Sequence, residues 1–203
     1  MKIFTIGIVD FGFGNHASVV HSLRDLDFRV RVSNRSEDLD MLDALVLPGV
    51  GAFPVAMHAL GKQGLTSYLQ KQAARGRPIV GICLGMQLLA SASFEHKHTA
   101  GLDLIPGEIV PFPEDDVHIG WNSLDFIDKN SSLASCDGSR FYFNHSYYYR
   151  GPAKYEIAMT SHHRSIAAII RSDNVVGLQF HPEKSQASGR KLLKNLILEL
   201  VDA

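Results

Sequence analysis

The sequence predicts an α/β fold in which a largely parallel sheet is covered by helices on both faces. Through the first half of the chain, short apolar segments alternate with segments of helical spacing. Near the C-terminus an apolar strand is again followed by an amphipathic helix. Strand–helix–strand connections of this kind place successive strands side by side and parallel. We therefore expect residues 1–203 to form a single domain.

The first half of the chain supplies the alternating elements. Apolar runs predict strands at Ile3–Val9, Phe28–Val32, Ala44–Leu47 and Ile79–Ile82. Pro48 and Gly49 should end the third of these strands, and Pro54 suits the first turn of a helix. Helical spacing predicts further helices at His16–Leu26, at Leu65–Arg75, which Gly76 closes, and at Gly85–Ser91.

The second half of the chain changes to strands and turns. The predicted strands are Ser123–Ile127, Phe141–Tyr149, Tyr155–Met159, Ile166–Arg171 and Val175–Phe180. We interpret the aromatic run at 141–149 as a strand that packs against the core and rims a pocket. The last helix presents an apolar side formed by Leu192, Leu193, Leu196, Ile197 and Leu200.

Composition excludes several classes of function. Hydrophobic residues make up 45% of the 203 residues and charged residues 20%, which is typical of a globular protein and excludes a disordered chain. A net charge of −1 gives no reason to expect binding to nucleic acid or to a membrane surface. No apolar run predicts a membrane span, and the N-terminus predicts a strand, not a signal peptide. Two cysteines, Cys83 and Cys136, are too few for a disulfide framework, so we expect a cytoplasmic protein.

The segment Gly81–Gly85 (G-I-C-L-G) has the form of a nucleophile elbow, a sharp turn between a strand and a helix. Cys83 stands in the nucleophile position of this turn. The amino end of a helix favours a thiolate, and the Leu84 N–H would point toward an oxyanion formed on an attacked carbonyl. A buried cysteine in a glycine-flanked turn is the alternative that this segment leaves open.

The segment Gln179–Lys184 (Q-F-H-P-E-K) ends a predicted strand and carries a candidate base. Pro182 restricts His181 to extended backbone, in which residues two apart face the same side. His181 and Glu183 could therefore point at one site, where a histidine oriented by a carboxylate is the partner that a cysteine nucleophile needs. By itself the segment also suits a surface turn.

Two glycine-containing turns follow predicted strands. Pro48–Phe53 (P-G-V-G-A-F) allows backbone N–H groups to converge on a ligand, or it simply ends a strand. Gly12–Ala17 matches the G-x-G-x-x-A form of a dinucleotide fingerprint, but no acidic residue follows the second strand. We interpret Gly12–Ala17 as a tight first turn, although Arg35 leaves an NADP enzyme open.

Four histidines suggest metal binding only weakly. His96 and His98 are spaced by one residue, and His162 and His163 are adjacent, but no Cys, Asp or Glu cluster at ligand spacing accompanies them. We expect them to be loop residues. The sequence therefore predicts neither a metal nor another cofactor.

Taken together and in this order, the motifs resemble those of class I (triad) glutamine amidotransferases over nearly the whole chain. The resemblance is closest to the glutaminase subunits of imidazole glycerol phosphate synthase. The segments that carry it are Asp10–Asn15 (D-F-G-F-G-N), Pro48–Phe53, Gly81–Leu89 (G-I-C-L-G-M-Q-L-L), His118–Asn122 (H-I-G-W-N), Phe141–Tyr148 (F-Y-F-N-H-S-Y-Y) and Gln179–Ser185 (Q-F-H-P-E-K-S). The resemblance implies a flavodoxin-like fold with a mixed, mostly parallel sheet.

The resemblance also implies a catalytic role for three side chains. Cys83 attacks the side-chain amide carbon of L-glutamine, His181 moves the proton to the departing ammonia, and Glu183 orients His181. A glutamyl thioester forms and is hydrolysed. The implied oxyanion donors are the backbone N–H groups of Leu84 and of Val50 or Gly51, and the residues implied to hold glutamine are Gly49, Gln87, Ser146 and Tyr147.

We expect no residues to remain in this chain for a domain that consumes ammonia. The resemblance therefore also implies a separate partner protein that receives it. In the family the partner is a separate cyclase subunit with a (β/α)8 barrel, which gives a heterodimer in histidine biosynthesis. Trp121 and Lys184 fall in segments that face this partner. Core packing is the alternative for Trp121.

Other functions remain open at this point. A paralogous glutaminase subunit could feed a sugar-modifying synthetase in surface-polysaccharide biosynthesis. A non-catalytic module could keep the fold and bind a partner, and a cysteine peptidase could use the same nucleophile and base.

Overall fold

The computed structural model describes residues 3–113 and 116–202. The strands in these ranges are β1 (Thr5–Val9), β2 (Arg29–Ser33), β3 (Ala44–Gly49), β4 (Ile79–Cys83), β5 (Ala90–Ser93), β6 (Thr99–Ala100), β7 (Ile105–Pro111), β8 (His118–Ser123), β9 (Asp125–Phe126), β10 (Arg140–His145), β11 (Tyr147–Arg150), β12 (Glu156–His162), β13 (Arg164–Ser172) and β14 (Val175–Leu178). The helices are α1 (His16–Arg24), α2 (Ser36–Leu39), α3 (Phe53–Lys62), α4 (Leu65–Ala74), α5 (Leu84–Leu88) and α6 (Gln186–Val201). None of these helices combines the length and the hydropathy that a membrane span needs.

Eight strands form the central sheet, in the order β2–β1–β3–β4–β14–β13–β12–β9. Neighbours from β2 to β14 run parallel, whereas the pairs from β14 to β9 are antiparallel. The order β2–β1–β3–β4 is that of a flavodoxin-like sheet. The predicted mixed, mostly parallel sheet is confirmed. The remaining strands form two smaller sheets, one with the order β11–β7–β5–β6 and one that pairs β10 with β8.

Two hydrophobic clusters cover the opposite faces of the central sheet. Side chains alternate along a strand, so Ala44 and Val46 of β3 join one cluster while Leu45 and Leu47 join the other. Helices α1 and α6 pack on the first cluster, and α3, α4 and α5 pack on the second. Each fully buried leucine contributes roughly 1.5–3 kcal/mol, so both layers stabilise the sheet. Helices on both faces are therefore confirmed.

The prediction that Pro48 and Gly49 end the third strand was wrong. Strand β3 continues through both residues, and Gly49 pairs with Cys83 of β4. Strand β1 pairs with β3 only as far as Val46, so no neighbour on that side needs a donor from Pro48. Proline is tolerated in a strand where its missing N–H has no ladder partner.

Two further predicted elements end differently in the structure. The predicted helix at Gly85–Ser91 stops at Leu88, and β5 begins at Ala90. The predicted strand at Phe141–Tyr149 is two strands, because Ser146 separates β10, which pairs with β8, from β11, which pairs with β7. Alternation of residue types does not reveal a change of sheet.

Two glycines make the turn from β4 into α5 possible. A Cβ on Gly81 would lie 2.6 Å from the carbonyl oxygen of Gly85, and a Cβ on Gly85 would overlap the carbonyl oxygen of Leu47 in β3. Both contacts are with backbone, which cannot rotate aside as a flexible side chain can. The turn therefore packs against β3 without room for a methyl group.

We expect Gly85→Ala to destabilise the protein strongly, because overpacking against rigid backbone costs about 1–3 kcal/mol or more. Gly61→Ala is the matched control, since Gly61 lies inside α3 and its Cβ would meet open space. There alanine should stabilise the helix by up to ~1 kcal/mol. Thermal unfolding measures both variants, and equal melting temperatures would contradict the packing described for Gly85.

Candidate active site

The carboxyl ends of β3, β4 and β14 meet at one edge of the central sheet. Gly49 ends β3 beside Cys83, which ends β4, and the chain leaving β14 reaches His181 shortly afterwards. In open α/β sheets this edge is where ligands bind, because successive loops converge there. Segments that are far apart in sequence are thus brought to one place.

Cys83 occupies a strained turn. Its φ of 55° and ψ of −111° lie in a region that residues other than glycine rarely adopt. Such a conformation costs on the order of 1–3 kcal/mol and persists only where surrounding packing imposes it. The side chain is buried, and its Sγ lies 3.8 Å from the carbonyl oxygen of Asn144. The predicted nucleophile elbow is confirmed in its geometry.

His181 and Glu183 form a buried pair. His181 Nδ1 lies 2.8 Å from Glu183 Oε1, and both side chains are almost fully excluded from solvent. The backbone holds the histidine from both sides: its N–H donates to the carbonyl of Tyr142 at 2.9 Å, and its carbonyl accepts from Ser185 Oγ at 2.6 Å. With Nδ1 engaged by the carboxylate, Nε2 is the nitrogen left for chemistry.

The surroundings of His181 favour its charged form. Burial by itself lowers the pKa of His181, but hydrogen bonds and electrostatic interactions with Cys83 and Glu183 raise it from 6.5 to about 9. At neutral pH the ring is therefore protonated and able to deliver a proton.

A cavity of about 310 Å³ opens in front of Cys83. This volume is typical of cavities that bind small molecules. The sequence-predicted residues that line it are Val50, Gly51, Cys83, Leu84, Gln87, Ser146, Tyr147, His181 and Lys184. Gly49 and Glu183 line a small adjoining cavity that shares Val50 and His181 with the first. The structure thus gathers the predicted catalytic and glutamine-binding residues at one site.

Hydrogen bonds fix Gln87 in the wall of this cavity. Its amide nitrogen donates to the carbonyl of Tyr147 at 3.1 Å and to Gln179 Oε1 at 3.3 Å. The side chain is buried and tied to two other segments that reach the site. Its orientation is therefore set before any ligand arrives.

Sequence reasoning missed Glu95 in the cavity wall. This buried carboxylate accepts a hydrogen bond of 2.7 Å from the backbone N–H of Phe53, where α3 begins without a side-chain cap. Among the described residues that line the cavity, Glu95 is the one carboxylate. In the sequence, the one indication of such a role is that Glu95 directly follows an apolar segment. Only the tertiary structure shows that it lies at the same cavity as Cys83.

His145 also lines the cavity and was not predicted as a site residue. Its Nδ1 lies 2.8 Å from the carbonyl oxygen of Tyr147, so Nδ1 carries the hydrogen. Its Nε2 then accepts from His118 Nδ1 at 2.9 Å. Burial lowers the pKa of His145 to about 3 and, with His162 nearby, that of His118 to about 4. Both rings are neutral at pH 7.

Trp121 and Lys184, the two residues expected to face a partner, meet at one aromatic ring. Trp121 lies edge-on to Tyr142 with 6.1 Å between ring centroids, and Lys184 Nζ lies 5.8 Å from the centre of the same ring. Trp121 is 40% exposed and Ile119, on the same side of β8, is 60% exposed. Trp121 is therefore a surface residue, which excludes the core-packing alternative.

The fold accounts for two other sequence features. In the segment Gly12–Ala17, Asn15 caps α1 by accepting a hydrogen bond from the Ser18 N–H at 3.4 Å, which agrees with a tight turn at the start of a helix. Cys136, the second of the two cysteines, is fully buried in the core.

Comparison with known proteins identifies relatives over the full length. Residues 7–200 match the family described as glutamine amidotransferase class-I. The chain is 42% identical over 194 residues to imidazole glycerol phosphate synthase subunit HisH of Caldanaerobacter subterraneus subsp. tengcongensis, covering 94% of this chain and 96% of that protein. It is 40% identical over 200 residues to the subunit of that name from Halalkalibacterium halodurans, covering 94% of each.

Solved structures share the fold. PurLQS from Thermotoga maritima superposes with a TM-score of 0.78 at 19% identity, covering 98% of this chain and 100% of that chain. A glutamine amidotransferase from the same organism superposes with a TM-score of 0.69 at 15% identity, covering 100% of both chains. At these identities the likeness shows the fold alone. The full-length match at the level of sequence goes further, and the chain belongs to the class-I glutamine amidotransferase family.

Proposed function

We propose that this chain is the glutaminase subunit of an imidazole glycerol phosphate synthase. It hydrolyses L-glutamine to glutamate and ammonia and passes the ammonia to a separate cyclase subunit in histidine biosynthesis. The observation that carries the chemistry is the strained Cys83 beside the buried His181–Glu183 pair. Near-full-length identity of about 40% to HisH subunits supports the pathway. Residues 1–203 act as one domain, in the cytoplasm and without a cofactor.

The reaction uses the two ends of the His181 ring differently. Cys83 Sγ attacks the side-chain amide carbon of glutamine, and His181 Nε2 gives its proton to the amide nitrogen as the C–N bond breaks. Ammonia leaves, and a glutamyl thioester remains on Cys83. Water then attacks the thioester while His181 Nε2 takes one of its protons. The C–S bond breaks, glutamate leaves and loses its carboxyl proton to solvent, and Cys83 and His181 again share one proton, as at the start. Glu183 holds the ring through Nδ1 in both steps.

Backbone N–H groups around Cys83 stabilise the oxyanion that forms in each step. Leu84 follows the nucleophile at the start of α5, and Val50 and Gly51 lie on the opposite loop at the same cavity. Donors fixed in advance in a dry site are worth about 2.7–4 kcal/mol each. Gly51 has a φ of 104°, and its lack of a side chain lets this loop take up other conformations at small cost.

Polar groups in the cavity match the ends of a free amino acid. The Glu95 carboxylate suits the α-ammonium group of glutamine, and the positive charge of Lys184 lies at the same cavity. Gly49, Gln87, Ser146 and Tyr147 shape the part of the site that holds the side-chain amide. These roles follow from charge and position.

The partner binds, we propose, on the surface around Trp121 and Lys184. Ile119 and Trp121 expose apolar area beside the cavity, which a monomeric protein normally covers. Tryptophan is among the residues that contribute most to binding energy at protein interfaces. A (β/α)8-barrel cyclase seated here would receive ammonia directly from the site, giving a heterodimer.

The proposed function is tested by measuring glutamate release from glutamine, first with the chain alone and then with a barrel cyclase and its nucleotide ligand. Strong stimulation is expected only with both present. Turnover that this cyclase does not stimulate would favour a different ammonia acceptor, such as a sugar-modifying synthetase. Peptide cleavage without glutamine turnover would instead favour a peptidase.

Cys83→Ala should abolish glutamate release, by at least ~10³-fold, because removal of a triad nucleophile leaves only binding and oxyanion stabilisation. Cys136→Ala is the matched control, since that thiol is buried in the core away from the site. It should keep activity despite lower stability. Residual activity near the wild-type level in Cys83→Ala would exclude the triad.

Glu183→Gln should lower the pKa of His181 from about 9 toward 6.5, because it removes one of the charges that raise it. Histidine ring NMR over a pH titration, assigned with His181→Gln, measures this shift. Because the pKa of His181 is higher in the folded protein, the His181–Glu183 pair adds its full contribution to the free energy of unfolding below pH 6.5. This contribution is lost as the pH rises through about 9. An unchanged His181 titration in Glu183→Gln would contradict the coupling.

Trp121→Ala should weaken binding of the cyclase subunit by ~30-fold or more, as loss of a central interface tryptophan commonly costs at least 2 kcal/mol. Met41→Ala, which changes an 89% exposed side chain elsewhere, should leave binding unchanged. Isothermal titration with the partner distinguishes the two variants. Equal affinities would place the interface on another surface.

A further inference from the structure

A cluster of metal-ligand side chains lies outside the catalytic cavity. Asp116, His162 and His163 offer one carboxylate oxygen and two ring nitrogens, all within 4.8 Å of one another. They line a separate cavity of about 560 Å³ that also includes Phe112 and Arg164. In the described part of the chain no other group of three potential ligands is gathered in this way.

The carboxylate of Asp116 is already oriented. Its Oδ1 accepts a hydrogen bond of 2.8 Å from the backbone N–H of Val117. Its Oδ2 faces the histidines and lies 2.8 Å from His162 Nε2 and 3.7 Å from His163 Nε2. One oxygen is thus fixed by backbone while the other remains available as a monodentate ligand.

His162 Nε2 is buried, and within the described structure it has no hydrogen-bond partner. Its nearest polar neighbour is Asp116 Oδ2, which lies 2.8 Å away, the distance of an ion pair. A buried ring nitrogen beside a carboxylate oxygen is satisfied either by a shared proton or by a cation that both atoms bind. A ligand located between the nitrogen and the oxygen would satisfy both atoms.

His163 occupies a position that favours glycine. It forms the turn between β12 and β13 with a φ of 53°, and its side chain is 77% exposed. Left-handed backbone is costly for a histidine, and an exposed ring gains little from packing. In this position the His163 ring lies beside that of His162, with 4.7 Å between centroids, and supplies a second imidazole to the cluster.

We propose that Asp116, His162 and His163 bind a divalent transition-metal ion of the zinc type. Two imidazole nitrogens and one carboxylate oxygen are ligands that Zn²⁺ accepts in tetrahedral sites, with a fourth position left to water. At metal–ligand distances of about 2.0–2.2 Å, tetrahedral ligands lie about 3.3 Å apart. The distances of 2.8 and 3.7 Å from Asp116 Oδ2 to the two histidines bracket this value, and the ligand atoms all lie within 4.8 Å of one another, so side-chain rotation, mainly of the exposed His163, has to close the site.

The site is held in shape by its neighbours. The His162 ring stacks on His118 with 4.5 Å between centroids and meets the edge of Phe112 at 5.3 Å. Arg164, the nearby cation, directs its guanidinium to Tyr148, where Nη1 lies 3.3 Å from the hydroxyl. A ligand that is already oriented loses less entropy when the ion binds. Glutamine hydrolysis does not use this cluster, so the proposal stands independently of the proposed function.

Isothermal titration of Zn²⁺ into the Cys83→Ala protein tests the proposal. The variant is used because the active-site thiol and His181 would otherwise compete for zinc. We expect one site, which Asp116→Asn and His163→Gly each weaken at least ~10-fold. Glycine suits the left-handed turn, so His163→Gly should fold and melt at a higher temperature without metal. Co²⁺ should give the visible absorption of a tetrahedral site, and Mg²⁺ should not compete.

His96→Gly in the same background is the matched control, because His96 also has a positive φ, of 60°. It removes another 77% exposed histidine, beside the buried carboxylate of Glu95, and should leave zinc affinity unchanged. Equal affinity in the parent, Asp116→Asn and His163→Gly proteins would place zinc elsewhere and overturn the proposal. Absence of binding to the parent would also overturn it and leave the cluster as an Asp–His ion pair.

Discussion

Close backbone packing between β3 and the turn that follows β4 is the constraint on which the rest of this structure depends. Gly85 lies against the Leu47 carbonyl, and Gly81 lies against Gly85 itself, so the chain reverses direction without side chains in the way. This contact accompanies the strained conformation of Cys83, whose buried side chain packs on the core and also lines the cavity. Burial of the two hydrophobic clusters, one on each face of the sheet, offsets the free-energy cost of this strain.

Environment, not residue type, sets the behaviour of the histidines around this turn. His181 is buried beside Cys83 and Glu183, and its interactions with these two groups raise its pKa to about 9. His145 lines the same cavity but hydrogen-bonds to a carbonyl and to another neutral ring, and burial lowers its pKa to about 3. One ring can therefore transfer protons at neutral pH, while the other serves as a fixed part of the wall.

The two sites described differ in how they are supported. The catalytic residues lie at the ends of central strands, and each is held by backbone hydrogen bonds or by packing against the sheet. The Asp116–His162–His163 cluster is built on a hairpin turn and a loop at the periphery, where the sheet turns antiparallel. Chemistry that needs fixed geometry is located on the rigid part of the fold, whereas the peripheral cluster would gain rigidity from an ion.

The sequence by itself determined the fold class and most element positions, and it pointed to Cys83, His181 and Glu183 as the triad that we propose. Hydrophobic periodicity and glycine placement are local properties, and they are sufficient to predict α6 or the turn at Cys83. The sequence could also propose Gln87 and Tyr147 for glutamine binding through family resemblance, although it could not show that they are hydrogen-bonded to each other.

Only the tertiary structure decided the rest, because contacts between distant segments leave no local pattern. It carried β3 through Pro48, split the aromatic run into strands of two sheets, and brought Glu95 to the cavity. It also placed Asp116 beside two histidines that, read along the chain, have no acidic neighbour. The local sequence determines the secondary structure that each segment favours. Which segments come into contact depends on how the whole chain packs around the two hydrophobic clusters.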